Sequence, residues 1–105
     1  MVQPNVPRFF RQKDKMELTA STVNLSEKEV SATASVEFFN PVTNGIFTEI
    51  PAQTRNFNLA SNENKIVGWN IEIPTTELPA IGIRYSIKAG THTDIVERVI
   101  VVLSN

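Results

Sequence analysis

The chain has 105 residues, the size of one domain with a single hydrophobic core. Ten basic and eleven acidic residues give a formal net charge of −1. The basic residues form no stripe, which argues against nucleic acid or an anionic membrane as partner. There is no cysteine, so disulfides, thiolate zinc sites and cysteine nucleophiles are excluded.

The beginning of the chain shows no hydrophobic period. We predict that residues 1–6 are a flexible lead-in and that residues 7–105 form the folded domain. Residues 1–6 lack the basic-then-apolar layout of a signal peptide, and we expect a domain taken from a longer protein. A short first strand is predicted over residues 7–11, where Pro7 suits an edge or a strand start.

The next predicted strand changes phase part-way along its length. Its apolar residues occupy one phase from Met16 to Ala20 and the other phase at Val23 and Leu25. The switch near residues 21–22 predicts a β-bulge, or a strand whose far end meets a different surface.

The segment from residue 29 to residue 38 alternates cleanly between polar and apolar side chains. Its apolar members share one parity: Val30, Ala32, Ala34, Val36 and Phe38. A period of two places successive side chains on opposite faces, so this is a strand with one buried side. Asn44-Gly45 then supplies the pair of residues that a type I′ hairpin turn requires, and residues 46–48 are predicted to return as a short strand.

The second half of the chain repeats the alternation. Four further strands are predicted, around residues 56–59, 67–73, 81–89 and 93–103. Residues 75–79 are expected to cross between sheets, and Gly90 lies in a hairpin connection. Seven to eight strands without a helix predict an all-β, two-sheet antiparallel sandwich of the fibronectin type III or immunoglobulin-like class.

The sequence contains no recognisable catalytic or metal-binding constellation. His92 is the only histidine and lies in a predicted turn near Asp94, which falls short of the three or four ligands of a zinc site. There is no Gly-x-Ser-x-Gly elbow and no glycine-rich phosphate loop. We therefore expect no enzymatic activity, no catalytic residue, no metal and no cofactor.

The single tryptophan and the single tyrosine share the parity of their apolar neighbours. Trp69 is therefore predicted to be a core residue rather than an exposed platform for a sugar. Tyr85 is predicted to be buried as well, with its hydroxyl reaching a backbone partner at the rim of the sheet.

Two phenylalanine pairs are harder to place, because adjacent residues of a strand face opposite ways. One member of Phe9-Phe10 and one of Phe38-Phe39 must point away from the core, and Phe9 and Phe39 are the candidates. Such a residue is either covered by a loop or exposed singly, as is normal on protein surfaces. It can equally mark a contact between domains, and both interpretations stay open.

Four segments together resemble one domain of the bacterial α2-macroglobulin family. They lie at residues 7–14 (PRFFRQKD), 23–29 (VNLSEKE), 67–74 (VGWNIEIP) and 85–105. The second of them contains Asn24-Leu25-Ser26, which also matches the glycosylation sequon, a motif relevant only in a eukaryotic secretory context. One departure is Lys13, which stands where the family usually has glycine.

The resemblance implies a macroglobulin-like sandwich, one of many such domains in a long envelope protein. Family members trap proteases: cleavage of a bait segment triggers a rearrangement that cages the attacker. The thioester motif Cys-x-Glu-Gln and a bait-like segment are absent here. The implied function is that of a non-catalytic structural domain of a bacterial α2-macroglobulin-like protease inhibitor.

The same resemblance implies a periplasmic or cell-envelope location, with a parent that can be membrane-attached. Its implied partners are neighbouring domains of the parent chain and, through the full-length protein, target endopeptidases; the isolated chain is expected to be monomeric. The residues leave one alternative open, a fibronectin-type binding or adhesion module that recognises a glycan or a surface protein. That function requires an exposed aromatic platform or an exposed edge strand.

Overall fold

Eight strands, joined by turns and short loops, account for most of the part of the chain that the computed structural model describes, residues 2–103. In chain order they are β1 (Val2–Asn5), β2 (Phe9–Arg11), β3 (Lys15–Val23), β4 (Val30–Phe39), β5 (Gln53–Leu59), β6 (Asn64–Glu72), β7 (Ala80–Ala89) and β8 (His92–Leu103). Within this range no helix is long and apolar enough to span a membrane.

The strands form two sheets that pack face to face. The small sheet has the order β1-β3-β6 and the large sheet the order β2-β8-β7-β4-β5. All neighbours are antiparallel except β2 and β8, which run parallel over three residue pairs. The predicted all-β sandwich is confirmed, as is the crossing of residues 75–79 from the small sheet to the large one. Gly90 adopts a φ of 59° in the tight connection between β7 and β8.

Alternate residues of each sheet fill the space between the layers. The apolar phase predicted for residues 30–38 is the buried phase of β4, and Trp69 and Tyr85 are both almost completely buried. Trp69 belongs to the small sheet and Tyr85 to the large one, and their ring centroids lie 6.2 Å apart at a tilted angle. This pair therefore joins the two layers through direct aromatic contact.

The start of the chain differs from the predicted lead-in. Val2–Asn5 form β1, which pairs antiparallel with β3. Its four residues are too few to reveal a period, and the Asn5 side chain bonds to a polar neighbour, the Thr19 hydroxyl, at 3.1 Å. Pro4 is tolerated because β1 is an edge strand. Residue 1 lies outside the described residues.

The predicted phase switch in β3 is wrong. The even-numbered phase stays buried through Thr22 and Asn24, whereas Leu25 is 74% exposed. The pairing of β3 with β6 is continuous from Lys15 to Val23, so there is no bulge. The prediction failed because Thr22 and Asn24 are polar but buried, so an apolar pattern does not reveal that they continue the buried phase of β3.

The predicted type I′ hairpin is also wrong. Asn44 has a φ of 61°, but Gly45 is not among the residues with positive φ, which a two-residue turn of this type requires at both positions. The amide of Asn40 instead donates to the carbonyl of Gly45 at 2.8 Å and closes a longer loop. Residues 46–48 form no strand; Ile46 makes only an isolated bridge to Phe39.

The Tyr85 hydroxyl has no hydrogen-bond partner among the described residues, so the predicted backbone partner is wrong. Burial raises the pKa of Tyr85 to about 12, because the phenolate would lose its hydration. The positive charge of Arg98 opposes this shift but is the smaller effect.

This environment predicts a loss of stability at high pH. A folded-state pKa above the unfolded value of about 10 means that folding favours the protonated phenol. The contribution of Tyr85 to stability should be complete below about pH 10 and decline as the pH rises towards 12. Because Tyr85 is the only tyrosine, the absorbance of its phenolate reports the titration directly.

The matched control is Tyr85→Phe, which removes a buried hydroxyl that has no hydrogen-bond partner within residues 2–103. We expect it to unfold at equal or higher urea concentration, with a gain of up to about 1–3 kcal/mol at neutral pH. Its free energy of unfolding should fall less at alkaline pH than that of the unmodified chain, because it has no phenol to titrate. A phenol that titrates near pH 10 in the folded chain would contradict this account.

Candidate functional site

Both phenylalanines singled out in the sequence lie on the outer face of the large sheet. Phe9 is 41% exposed and is in register with Val101, which is also exposed. Val99 lies two residues before Val101 on the same face and is in register with Gly82, which in turn is in register with Phe39. These neighbours make one continuous surface, the outer apolar strip, defined as Phe9, Phe39, Val99 and Val101.

Phe39 forms the covered floor of the strip and is only 5% exposed. Its ring lies over Gly82, where an added Cβ would come within 2.2 Å of the Phe39 Cζ atom. The Arg84 guanidinium stacks 5.1 Å from the centre of the same ring. Contact of Phe9 or Phe39 with another domain stays a prediction, and Phe9 retains far more exposed surface for it.

A row of charged residues separates the strip from the rest of the outer face. Arg84 lies between Glu37 and Glu97 on neighbouring strands, with its nitrogens 2.5 Å and 2.6 Å from their carboxylate oxygens. The hydrogen bonds to Glu37 and then to Glu97 raise the pKa of Arg84, so it stays charged. Beyond this row the face is mostly polar, with pairs such as Ser35 and Ser86, and Ile95 is an exposed apolar residue beside them. The apolar surface is therefore bounded, as at interaction sites.

A second feature of the structure is the hydrogen-bond network around the buried side chain of Asn24. Its Nδ2 lies 2.8 Å from the carbonyl oxygen of Lys28 and 3.1 Å from those of Leu59 and Ala60. Its Oδ1 accepts from the amide and hydroxyl of Ser26. One amide thus ties the β3–β4 turn to the end of β5. The sequon residue is structural here, because its nitrogen is enclosed by these carbonyls.

A cavity of about 370 Å³ opens beside this turn, at one end of the sandwich. Its walls are largely apolar, and the exposed His92 and Asp94 are its titratable lining residues. His92 is exposed, but it is the first residue of β8 rather than part of the predicted turn. Across residues 2–103 no three His, Cys, Asp or Glu side chains come close enough to hold a metal ion. The cavity therefore offers shape and an apolar lining, but no convergent set of reactive groups.

Sequence reasoning did not find the neighbours of Phe39. Gly82 and Arg84 are separated from it by more than forty positions along the chain, and only the register of β4 with β7 brings them together. The sole local signal was Gly82 itself, because a glycine inside a strand often marks a place where another group approaches the backbone closely.

No protein-family model and no curated protein matches the chain. Among solved structures, the fold is similar to part of a β-glucuronidase of Bacteroides uniformis, with a TM-score of 0.71 and 10% identity over 95% of this chain and 13% of that one. It is also similar to part of a family 123 glycoside hydrolase from Clostridium perfringens, with a TM-score of 0.68 and 12% identity over 92% of this chain and 22% of that one. At such identities the likeness shows a shared β-sandwich fold.

The bonding around Asn24 predicts a large effect from a small substitution. Asn24→Asp replaces the donating amide by an oxygen that faces three carbonyl oxygens and has no hydrogen to give. We expect a loss of about 2–4 kcal/mol in the free energy of unfolding, measured by urea denaturation at neutral pH. The same change at Asn64, which is exposed and lies opposite the uncharged Val23, should alter it by less than about 0.5 kcal/mol. Equal effects at the two sites would contradict the structural role of Asn24.

Proposed function

We propose that this chain is a non-catalytic structural domain of a bacterial α2-macroglobulin-like protease inhibitor and serves as scaffold in protease trapping. The observation that carries the proposal is the outer apolar strip, which unites Phe9 and Phe39 on one bounded surface of an otherwise well-packed sandwich. In this role the strip packs against a neighbouring domain of the parent chain.

The backbone at Lys13 supports the family resemblance. Lys13 has a φ of 69°, a conformation that glycine adopts without strain and that the family's usual glycine would suit. Its amide donates to the carbonyl of Ile73 at 2.6 Å, and the amide of Ile73 donates to the carbonyl of Asp14 at 2.8 Å. Two of the four family-like segments, residues 7–14 and 67–74, therefore meet at one backbone junction.

The proposed mechanism is mechanical. The Trp69–Tyr85 contact and the surrounding core make the sandwich a stiff body, since protein interiors pack densely. A stiff body that buries one face against a neighbour couples the position of that neighbour to its own. When cleavage of a bait segment elsewhere in the parent shifts the domains, this coupling transmits the movement. The location proposed with this function is the periplasm or the cell envelope.

A second candidate is an accessory domain of an enzyme that acts on glycans, a proposal suggested by the fold similarity to parts of two glycoside hydrolases. Direct glycan recognition would need an exposed aromatic platform, but Trp69 and Tyr85 are buried. The parent gene distinguishes the two candidates. If it encodes no further macroglobulin-type domain, the leading proposal fails.

Val101→Glu tests the role of the strip in the full-length parent. A charge at the centre of a buried contact should reduce the fraction of caged protease by about tenfold or more. That fraction is measured as protease that still cleaves a small peptide but no longer a protein substrate. In the isolated chain the unfolding free energy should change by less than about 0.5 kcal/mol, because Val101 is exposed there.

The matched control is Ile66→Glu, at an exposed apolar residue on the outer face of the small sheet. We expect this variant to cage protease like the unmodified parent. Equal caging by the Val101→Glu variant and the parent would refute the role of the strip. A parent that cages no protease would refute the proposed function as a whole.

A further inference from the structure

The strand β8 has a long open edge. On one side it pairs with β7 from His92 to Val101. On the other side it pairs with β2 only over Val101–Leu103. Within residues 2–103, no strand covers residues 92–100 on that side. The backbone amides and carbonyls of this edge are therefore a template for another strand.

The side chains along this edge carry complementary charges at a specific spacing. Asp94, Val96 and Arg98 occupy alternate positions and share one face of β8. Asp94 and Arg98 are exposed although this face turns toward the small sheet, which does not cover them. On the opposite face Ile95 and Val99 are exposed apolar residues.

We propose that two copies of this chain pair antiparallel through their β8 edges, about a twofold axis at Val96. In an antiparallel pair centred on residue 96, position 94 of each copy lies opposite position 98 of the other. Each Asp94 then faces an Arg98, and the symmetry makes this contact twice. Opposite charges placed directly across two strands stabilise the pair.

Other registers do not match the charges. Moving the axis to residue 97 places Glu97 opposite itself, and like charges directly opposite are destabilising. Moving it to residue 95 places Asp94 opposite Val96 and Arg98 opposite His92, so neither residue lies directly across from an opposite charge of the other copy. In the proposed register the second face also gains contacts, because Ile95 comes next to the stem of Glu97 and Val99 next to Thr93. The charge pattern therefore selects one register.

This dimer joins two five-stranded sheets into one continuous sheet. The proposed dimer departs from the sequence-based expectation of a monomer, because the sequence does not show that β8 lies at an edge. The inference does not rest on the proposed function. The competing interpretation is that Asp94 and Arg98 guard the edge against pairing, as charges on edge strands often do.

Charge reversal tests the register by sedimentation velocity over a range of concentrations. The unmodified chain should show reversible dimerisation. Asp94→Arg alone and Arg98→Asp alone should each weaken it by about tenfold or more, because both symmetric pairs become repulsive. An equimolar mixture of the two variants should dimerise again, since two basic positions of one chain then face two acidic positions of the other.

Glu72→Arg is the control for the charge change, at an exposed site on an edge strand of the small sheet, and it should dimerise like the unmodified chain. Thermal unfolding of each variant verifies that it is folded. A chain that stays monomeric up to its solubility limit overturns the proposal. A mixture of the two charge-reversed variants that fails to dimerise also overturns it. Stronger association of the double variant Asp94→Asn/Arg98→Gln overturns it as well, because that result would show that the two charges prevent edge pairing.

Discussion

The contact between Trp69 and Tyr85 is the interaction on which the rest of the structure depends. Each ring is almost fully buried, and each comes from a different sheet. Large aromatic side chains bury more apolar area than most others, so each ring of this pair is among the largest single contributors to the packing between the layers. Because both rings lie inside the core, neither can serve as an exposed aromatic platform for binding a glycan.

With the core closed, the distinctive features of the molecule lie on its surface and at its edges. The large sheet presents a bounded apolar strip on one part of its outer face, and its strand β8 presents an open edge beside that strip. Both features concern association rather than chemistry. The Asn24 amide and the Lys13 backbone form hydrogen bonds that hold neighbouring segments of the fold together.

Much of the fold followed from local pattern. A period of two in β4, β6 and β7 identified the strands, their buried faces and the core position of Trp69, because alternation reflects the pleat of a strand directly. Local pattern failed where polar residues are buried. Thr22 and Asn24 continue the buried phase of β3, since hydrogen bonds within the fold satisfy the Asn24 amide, and an apolar criterion cannot detect such positions. It failed again at β1, whose pairing with β3 depends on a neighbour that is distant in sequence.

The amino-acid sequence by itself determined the all-β class, the alternation of buried and exposed side chains and the outward direction of one residue in each phenylalanine pair. These are properties of single strands, and the side-chain period encodes them residue by residue. Only the tertiary structure decided that Phe9 and Phe39 share a surface, that Arg84 lies between Glu37 and Glu97, and that β8 has an unpaired edge. Those facts depend on which strands are neighbours and in what register, and strand order is set by packing across the whole domain rather than by any local pattern.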